Sequence, residues 1–184
     1  PAAEVLAAAV QLQRRGGWLI VDEAFGDPDP ENSVTALAGG PAAPNLIVLR
    51  SLGKFFGLAG ARVGFVFGAP EKLARLREVL GPWPLSGPAR DVARQALADG
   101  AWQAQARRDL ALASVRLATL LAPIGEVSHC ALFATVATAH AAALFEYLAR
   151  QAILTRHFPA HGLLRLCLPG SEAESSADLR RVRS

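Results

Sequence analysis

The spacing of apolar and polar positions changes several times along the chain, and each change marks an element. Val5, Leu6, Ala9, Val10 and Leu12 recur at helical spacing within residues 2–15, and Gly16-Gly17 ends that pattern. Trp18 to Val21 is a continuous apolar run closed by Asp22-Glu23, the pattern of a strand covered on both faces. Residues 26–30 read as a loop, 33–38 as a short helix and 39–44 as a connection. Asn45 to Arg50 and Val63 to Phe67 are two more apolar runs, with a glycine-rich stretch between them. Helical spacing returns over 69–80 and is broken by Gly81-Pro82-Trp83-Pro84. An alanine-rich helix, bent along its length, is predicted over 87–121, ended by Pro123 and Gly125. Residues 126–135 read as one or two strands, 137–150 as a helix, and 151–155 and 163–168 as strands. A last helix is predicted over 171–181, with Ser171 as N-cap and Glu174 three residues on.

A helix, a glycine break and an all-apolar strand predict an α/β fold with a mostly parallel sheet. The alternation after residue 84 predicts a smaller α+β layer. The break at 81–84 puts the expected boundary between residues 1–84 and 85–184. The 184 residues suffice for one ordinary domain or two small ones, and 52% of them are hydrophobic, enough for a sizeable core.

Charge narrows the classes of partner. The net charge is +3, yet the arginines are interleaved with acids, and no basic run carries interleaved aromatics. No nucleic-acid partner is expected. The longest uncharged run, residues 127–145, contains Ser128, His129, Thr135, Thr138 and His140, so no membrane span is expected. Cys130 and Cys167 fit no metal-ligand spacing and read as buried free thiols in a reducing compartment; with no secretory signal visible, the expected location is the cytoplasm. The four histidines show no ligand spacing, and no metal is expected.

The chemistry concentrates in Arg50-Ser51-Leu52-Gly53-Lys54-Phe55-Phe56-Gly57-Leu58-Ala59-Gly60-Ala61-Arg62-Val63-Gly64. Its glycines let the backbone approach a ligand closely. Lys54 stands beside two phenylalanines, where its ammonium would lose hydration, and the neutral amine is the form that attacks carbonyls to give a Schiff base. Asp22 ends an apolar strand and would need a cationic or donor partner if buried. Glu23 reads as a supporting or capping group. Arg165, on an otherwise apolar strand, points either to a buried anion or to a solvated face. Arg156 is predicted to end the strand before it. An apolar run followed by Asp-Glu-Ala also matches the magnesium strand of P-loop ATPases, but the G-x-x-x-x-G-K-[ST] loop that reading requires does not occur in the chain.

The pattern Ser51-x-x-Lys54 followed by Ala59-Gly60-x-Arg62-x-Gly64 resembles the lysine motif of fold-type I pyridoxal-phosphate enzymes. Val21-Asp22-Glu23-Ala24-Phe25 resembles their aspartate strand, Gly81-Pro82-Trp83-Pro84-Leu85-Ser86 the segment leading to their small domain, and Leu163 to Gly170 their substrate-carboxylate strand. The branches most similar are the threonine-phosphate decarboxylases of cobalamin synthesis and the histidinol-phosphate aminotransferases. The resemblance implies pyridoxal 5'-phosphate as cofactor, Lys54 as the lysine that carries it, and Asp22 on its ring nitrogen. It implies Ser51 and Arg62 on its phosphate, Arg165 as a clamp on the substrate carboxylate, and Arg156 near the substrate's phosphate or carboxylate. It implies an antiparallel third strand, a phosphorylated amino-acid substrate and a homodimer. Phe25 departs from the tyrosine usual in relatives and cannot donate to the cofactor's phenolic oxygen. His129 and Cys130 are expected to pack rather than catalyse. Relatives carry a long segment before the aspartate strand, so the chain is expected to be the C-terminal part of such an enzyme.

Overall fold

The computed structural model describes residues 2–168. Contacts divide the chain into two compact units, residues 1–100 and 101–184, so the Gly-Pro-Trp-Pro break lies inside the first.

The first unit contains α1 (Ala2–Gln13), β1 (Leu19–Asp22), β2 (Leu46–Ser51), β3 (Gly64–Phe67), α2 (Pro70–Leu80) and α3 (Gly87–Ala98). Its sheet has the order β1-β2-β3. β1 and β2 are parallel, with Asp22 opposite Leu49, and β3 is antiparallel to β2, with Ser51 opposite Gly64. α1 ends at the glycine pair: Gly17 N–H donates to Leu12 O, Gly16 N–H donates to Gln13 O, and Gly16 takes φ +69°. Ala9 packs with Val34, Ala43, Leu46 and Val48, and the Asn45 side-chain amide ties α1 to the sheet by donating to Ala9 O and Gly17 O. Fully burying Leu46 and Val48 contributes roughly 1.5–3 kcal/mol each. β1 is not covered on both faces. It lies at the sheet edge, with Leu19 and Val21 packed against the core and Ile20 60% exposed on the other side.

The helix predicted over 87–121 is two. Asp99 leaves helical geometry at φ −84°, ψ 75°, and α4 (Gly100–Leu121) starts again after it. Asp-Gly is the poorest helix-forming pair in an alanine-rich stretch. β4 (Glu126–Cys130) and β5 (Phe133–Ala137) form a hairpin; α5 (Ala141–Arg150), β6 (Arg156–Phe158) and β7 (Leu163–Cys167) follow. The second unit's sheet, β4-β5-β7-β6, is antiparallel throughout. Leu117 and Leu121 of α4 and Ala141 and Leu148 of α5 pack onto Ala134, Val136, Leu164 and Leu166, the α+β layer that was expected.

Residues 151–155 form no strand. Ile153 N–H donates to Leu148 O and Ala152 N–H to Ala149 O, with Ala152 at φ +61°, so the segment is the C-terminal cap of α5. Arg156 therefore begins a strand instead of ending one. The helix predicted over 171–181 lies outside the described residues.

Candidate functional site: a lysine loop and an arginine face

The carboxyl ends of the parallel β1 and β2 lie side by side, where open α/β sheets bind ligands. From the end of β2 the chain makes a loop that its own backbone closes. Leu52 N–H donates to Val63 O at 3.2 Å, Leu58 N–H to Leu52 O at 3.0 Å, and Gly57 N–H to Lys54 O at 3.0 Å, with Gly57 at φ +66°. Phe55 and Phe56 are buried edge to face at 5.0 Å and anchor the loop. Because both rings turn inward, they do not shield the neighbouring amine, and the hydration loss expected for Lys54 is not seen: Lys54 is exposed, its Nζ 5.3 Å from the centre of the Phe25 ring.

Ser51 and Arg62 meet across a cavity of about 170 Å³ that Gly53, Leu58, Ala59 and Gly64 also line. Ser51 Oγ accepts from Gly53 N–H at 3.0 Å, and Arg62 Nη1 donates to Ala59 O at 3.2 Å. Arg62 holds φ +55°, a left-handed conformation costly for a non-glycine residue. A Cβ on Gly53 would stand 3.2 Å from Ser51 Oγ and 3.5 Å from Ala59 Cα. A glycine-walled space with a hydroxyl and a guanidinium at its rim suits a compact anion of phosphate size. The residues present therefore fit the phosphate end of pyridoxal phosphate.

Asp22 is exposed, not buried, and its Oδ1 accepts from Ala24 N–H at 2.8 Å. Glu23 is the buried member of the pair. Its carboxylate accepts from Ser33 Oγ at 2.6 Å, Val34 N–H at 2.7 Å and Thr35 Oγ1 at 3.1 Å, the capping role expected of it, and so holds the one-turn helix Thr35–Leu37. Sequence reasoning missed a second buried carboxylate, Asp27, which is paired with Arg50 at the end of β2. The signal was present, since Arg50 opens the lysine stretch, but Asp27 reads as an ordinary turn residue between glycine and prolines.

The second unit holds the two other candidates. Arg156 on β6 stands opposite Arg165 on β7, and Thr135 stands opposite Arg165 on the other side. Leu164 and Leu166 point to the core, so Arg165 lies on the outer face, half-buried. Its guanidinium lies 5.2 Å from the Phe133 ring centre, and that of Arg156 lies 5.5 Å from Phe158. Arg165 Nε is buried without a hydrogen-bond partner, a donor that an anion can satisfy. The same alternation exposes Cys167, which is not the buried thiol expected, while Cys130 is half-buried and both are free. His129 Nδ1 lies 2.7 Å from Ser114 Oγ, which also donates to Cys130 O, so this pair ties α4 to β4 as a packing role implies. Among the described residues no group of three acidic, histidine or cysteine side chains could hold a metal, and no helix is long and apolar enough to cross a membrane.

The model of the family "Aminotransferase class I and II" matches residues 1–181. The chain belongs to that family. It is 51% identical over 93% of its length to a threonine-phosphate decarboxylase of Pseudomonas aeruginosa, and 42% identical over 85% to one from a Sinorhizobium species. It is 41% identical over 52% of its length to a histidinol-phosphate aminotransferase of Sodalis glossinidius. The chain spans about half the length of the decarboxylases it matches, 51% and 46%. In fold it is similar to the histidinol-phosphate aminotransferase of Sinorhizobium meliloti solved with pyridoxal-5'-phosphate (TM-score 0.83, 23% identity, all of this chain and 53% of that one). It is also similar to L-threonine-O-3-phosphate decarboxylase of Porphyromonas gingivalis (TM-score 0.69, 18% identity, 91% of this chain and 54% of that one). The fold is that of the fold-type I members of the family, and membership displaces the ATPase reading of the Asp-Glu-Ala strand.

Proposed function

We propose that this chain is the lysine-bearing part of a pyridoxal-phosphate enzyme that decarboxylates L-threonine O-3-phosphate to aminopropanol phosphate. The observation that carries the reading is the meeting of Ser51 and Arg62 over a glycine-walled cavity, in the loop that presents Lys54. The 51% identity to a threonine-phosphate decarboxylase supports the choice of substrate. When bound, the cofactor supplies an electron sink for the bond broken at the substrate's Cα. Ser51 and Arg62 would hold its phosphate, Lys54 Nζ would attach it and serve as the proton donor and acceptor at Cα, and Asp22 would keep its ring nitrogen protonated. Arg165 grips the substrate carboxylate with its planar fork, and Arg156 takes the substrate's phosphate. The enzyme works as a homodimer in the cytoplasm.

A second reading, transfer of the amino group of histidinol phosphate, is favoured by the 41% identity over residues shared with such an enzyme. Incubating the full-length protein and cofactor with threonine phosphate, and separately with histidinol phosphate and 2-oxoglutarate, separates the two. Carbon dioxide release without a keto acid supports decarboxylation, and amino transfer from histidinol phosphate to 2-oxoglutarate supports the second. The chain alone is tested by trapping: borohydride-stable attachment of pyridoxal phosphate that Lys54→Ala abolishes supports a competent lysine site, and absence of attachment to the wild-type chain marks it as catalytically incomplete.

A further inference from the structure

We infer that the Arg50–Asp27 ion pair is a positioning device for Lys54, acting through Phe25. The inference rests on Lys54 being the cofactor lysine. Phe25 is 43% exposed, and Lys54 Nζ stands over its ring at 5.3 Å. The short segment that carries the ring is pinned on both sides. Glu23 anchors one flank through Ser33, Val34 N–H and Thr35, and Asp27 anchors the other through Arg50. The two anchors differ in kind. Glu23 is satisfied by neutral donors on a neighbouring loop, whereas Asp27 is met by a guanidinium that belongs to the strand leading into the lysine loop. Arg50 immediately precedes Ser51, so one residue ties the Phe25 segment to the strand end from which the phosphate-facing hydroxyl and the lysine both follow. A buried carboxylate, 6% exposed, and a side chain 24% exposed make a contact that water loosens little. A ring held in this way fixes where the ammonium rests; a ring on a loose segment would not.

Lys54 and Lys72 are the only lysines in the chain, which gives the test an internal reference. Lys72 rests over Trp18 at 4.5 Å and lines neither the cavity nor the Phe25 contact. The chain is incubated with pyridoxal phosphate, reduced with borohydride and digested, and label on the two lysine peptides is measured. The wild type is expected to label Lys54 in preference to Lys72. Asp27→Asn and Arg50→Gln, which add no lysine, are expected to lower the Lys54-to-Lys72 ratio at least tenfold. Lys72 labelling and protection by inorganic phosphate are expected to stay at wild-type levels, because Ser51 and Arg62 are untouched. Phe25→Leu with the ion pair intact is expected to reproduce the loss. An unchanged ratio in Asp27→Asn and Arg50→Gln overturns the positioning role while leaving Lys54 as the cofactor lysine. Loss of Lys54 label together with phosphate protection also overturns it, since that marks general damage to the unit. Equal labelling of the two lysines in the wild type overturns the cofactor assignment and this inference with it.

Discussion

The lysine loop and the arginine face are built on opposite principles. The first is a backbone construction: main-chain hydrogen bonds close it, glycines let its walls approach, and Arg62 sits at φ +55° within it. The second is a side-chain construction: strand alternation sends Leu164 and Leu166 inward and Arg165 outward, and the register sets Arg156 beside it. A loop of the first kind stores strain and tolerates few residue types at its tight points. A face of the second kind tolerates substitution as long as the core side of each strand stays apolar. The contrast yields four expectations, from the largest effect to the smallest.

Leu164→Ala strikes the support of the arginine face. The side chain is fully buried in a core shared by two helices and the sheet, so the expected loss is about 2–5 kcal/mol, read from chemical denaturation. A loss below that range would show that the face does not depend on the core beneath it. Glu23→Ala strikes the support of the lysine loop's neighbour. Three donors lose their acceptor, and the expected loss is about 1–3 kcal/mol. Glu23→Gln, which keeps an acceptor oxygen, is expected to lose less.

Arg62→Gly separates stability from binding within the loop. Relief of left-handed strain, offset by the freer unfolded chain, is expected to give a net gain below about 1 kcal/mol, while protection by inorganic phosphate falls. A variant both less stable and unchanged in phosphate binding would show that the guanidinium serves the loop alone. Arg156→Thr separates them within the face. Removing one of two like charges on opposed residues is expected to stabilise the free chain by about 0.2–1 kcal/mol, a gain that shrinks with added salt. Loss of stability would show that the stacking of Arg156 on Phe158 outweighs the repulsion.

The same two principles explain what could be read from the chain beforehand. β1, β2 and β3 were legible because their apolar runs are continuous, whereas Ser51 and Arg62 stood out only through the resemblance of their stretch to the lysine motif of the family. Two helix ends show where legibility stops. α1 and α5 close with the same pair of hydrogen bonds, but the left-handed position is Gly16 in one and Ala152 in the other. The glycine announces its cap; the alanine hides it, so apolar residues after it read as a strand. Burial was equally hidden at β1: an apolar run gives no sign that it lies at a sheet edge, nor that Glu23 rather than Asp22 is the buried carboxylate. The Arg50–Asp27 pair joins residues far apart in sequence, a relation no local pattern carries.

The backbone closure between Leu52 and Val63 bears on how such a site can change. With Ser51 set opposite Gly64 by the ladder and the next pair fastened by main chain, the segment between them is a self-contained insert on a fixed base. A change inside that insert is therefore contained: the register of β2 against β3 and the aim of the strand ends do not depend on its side chains.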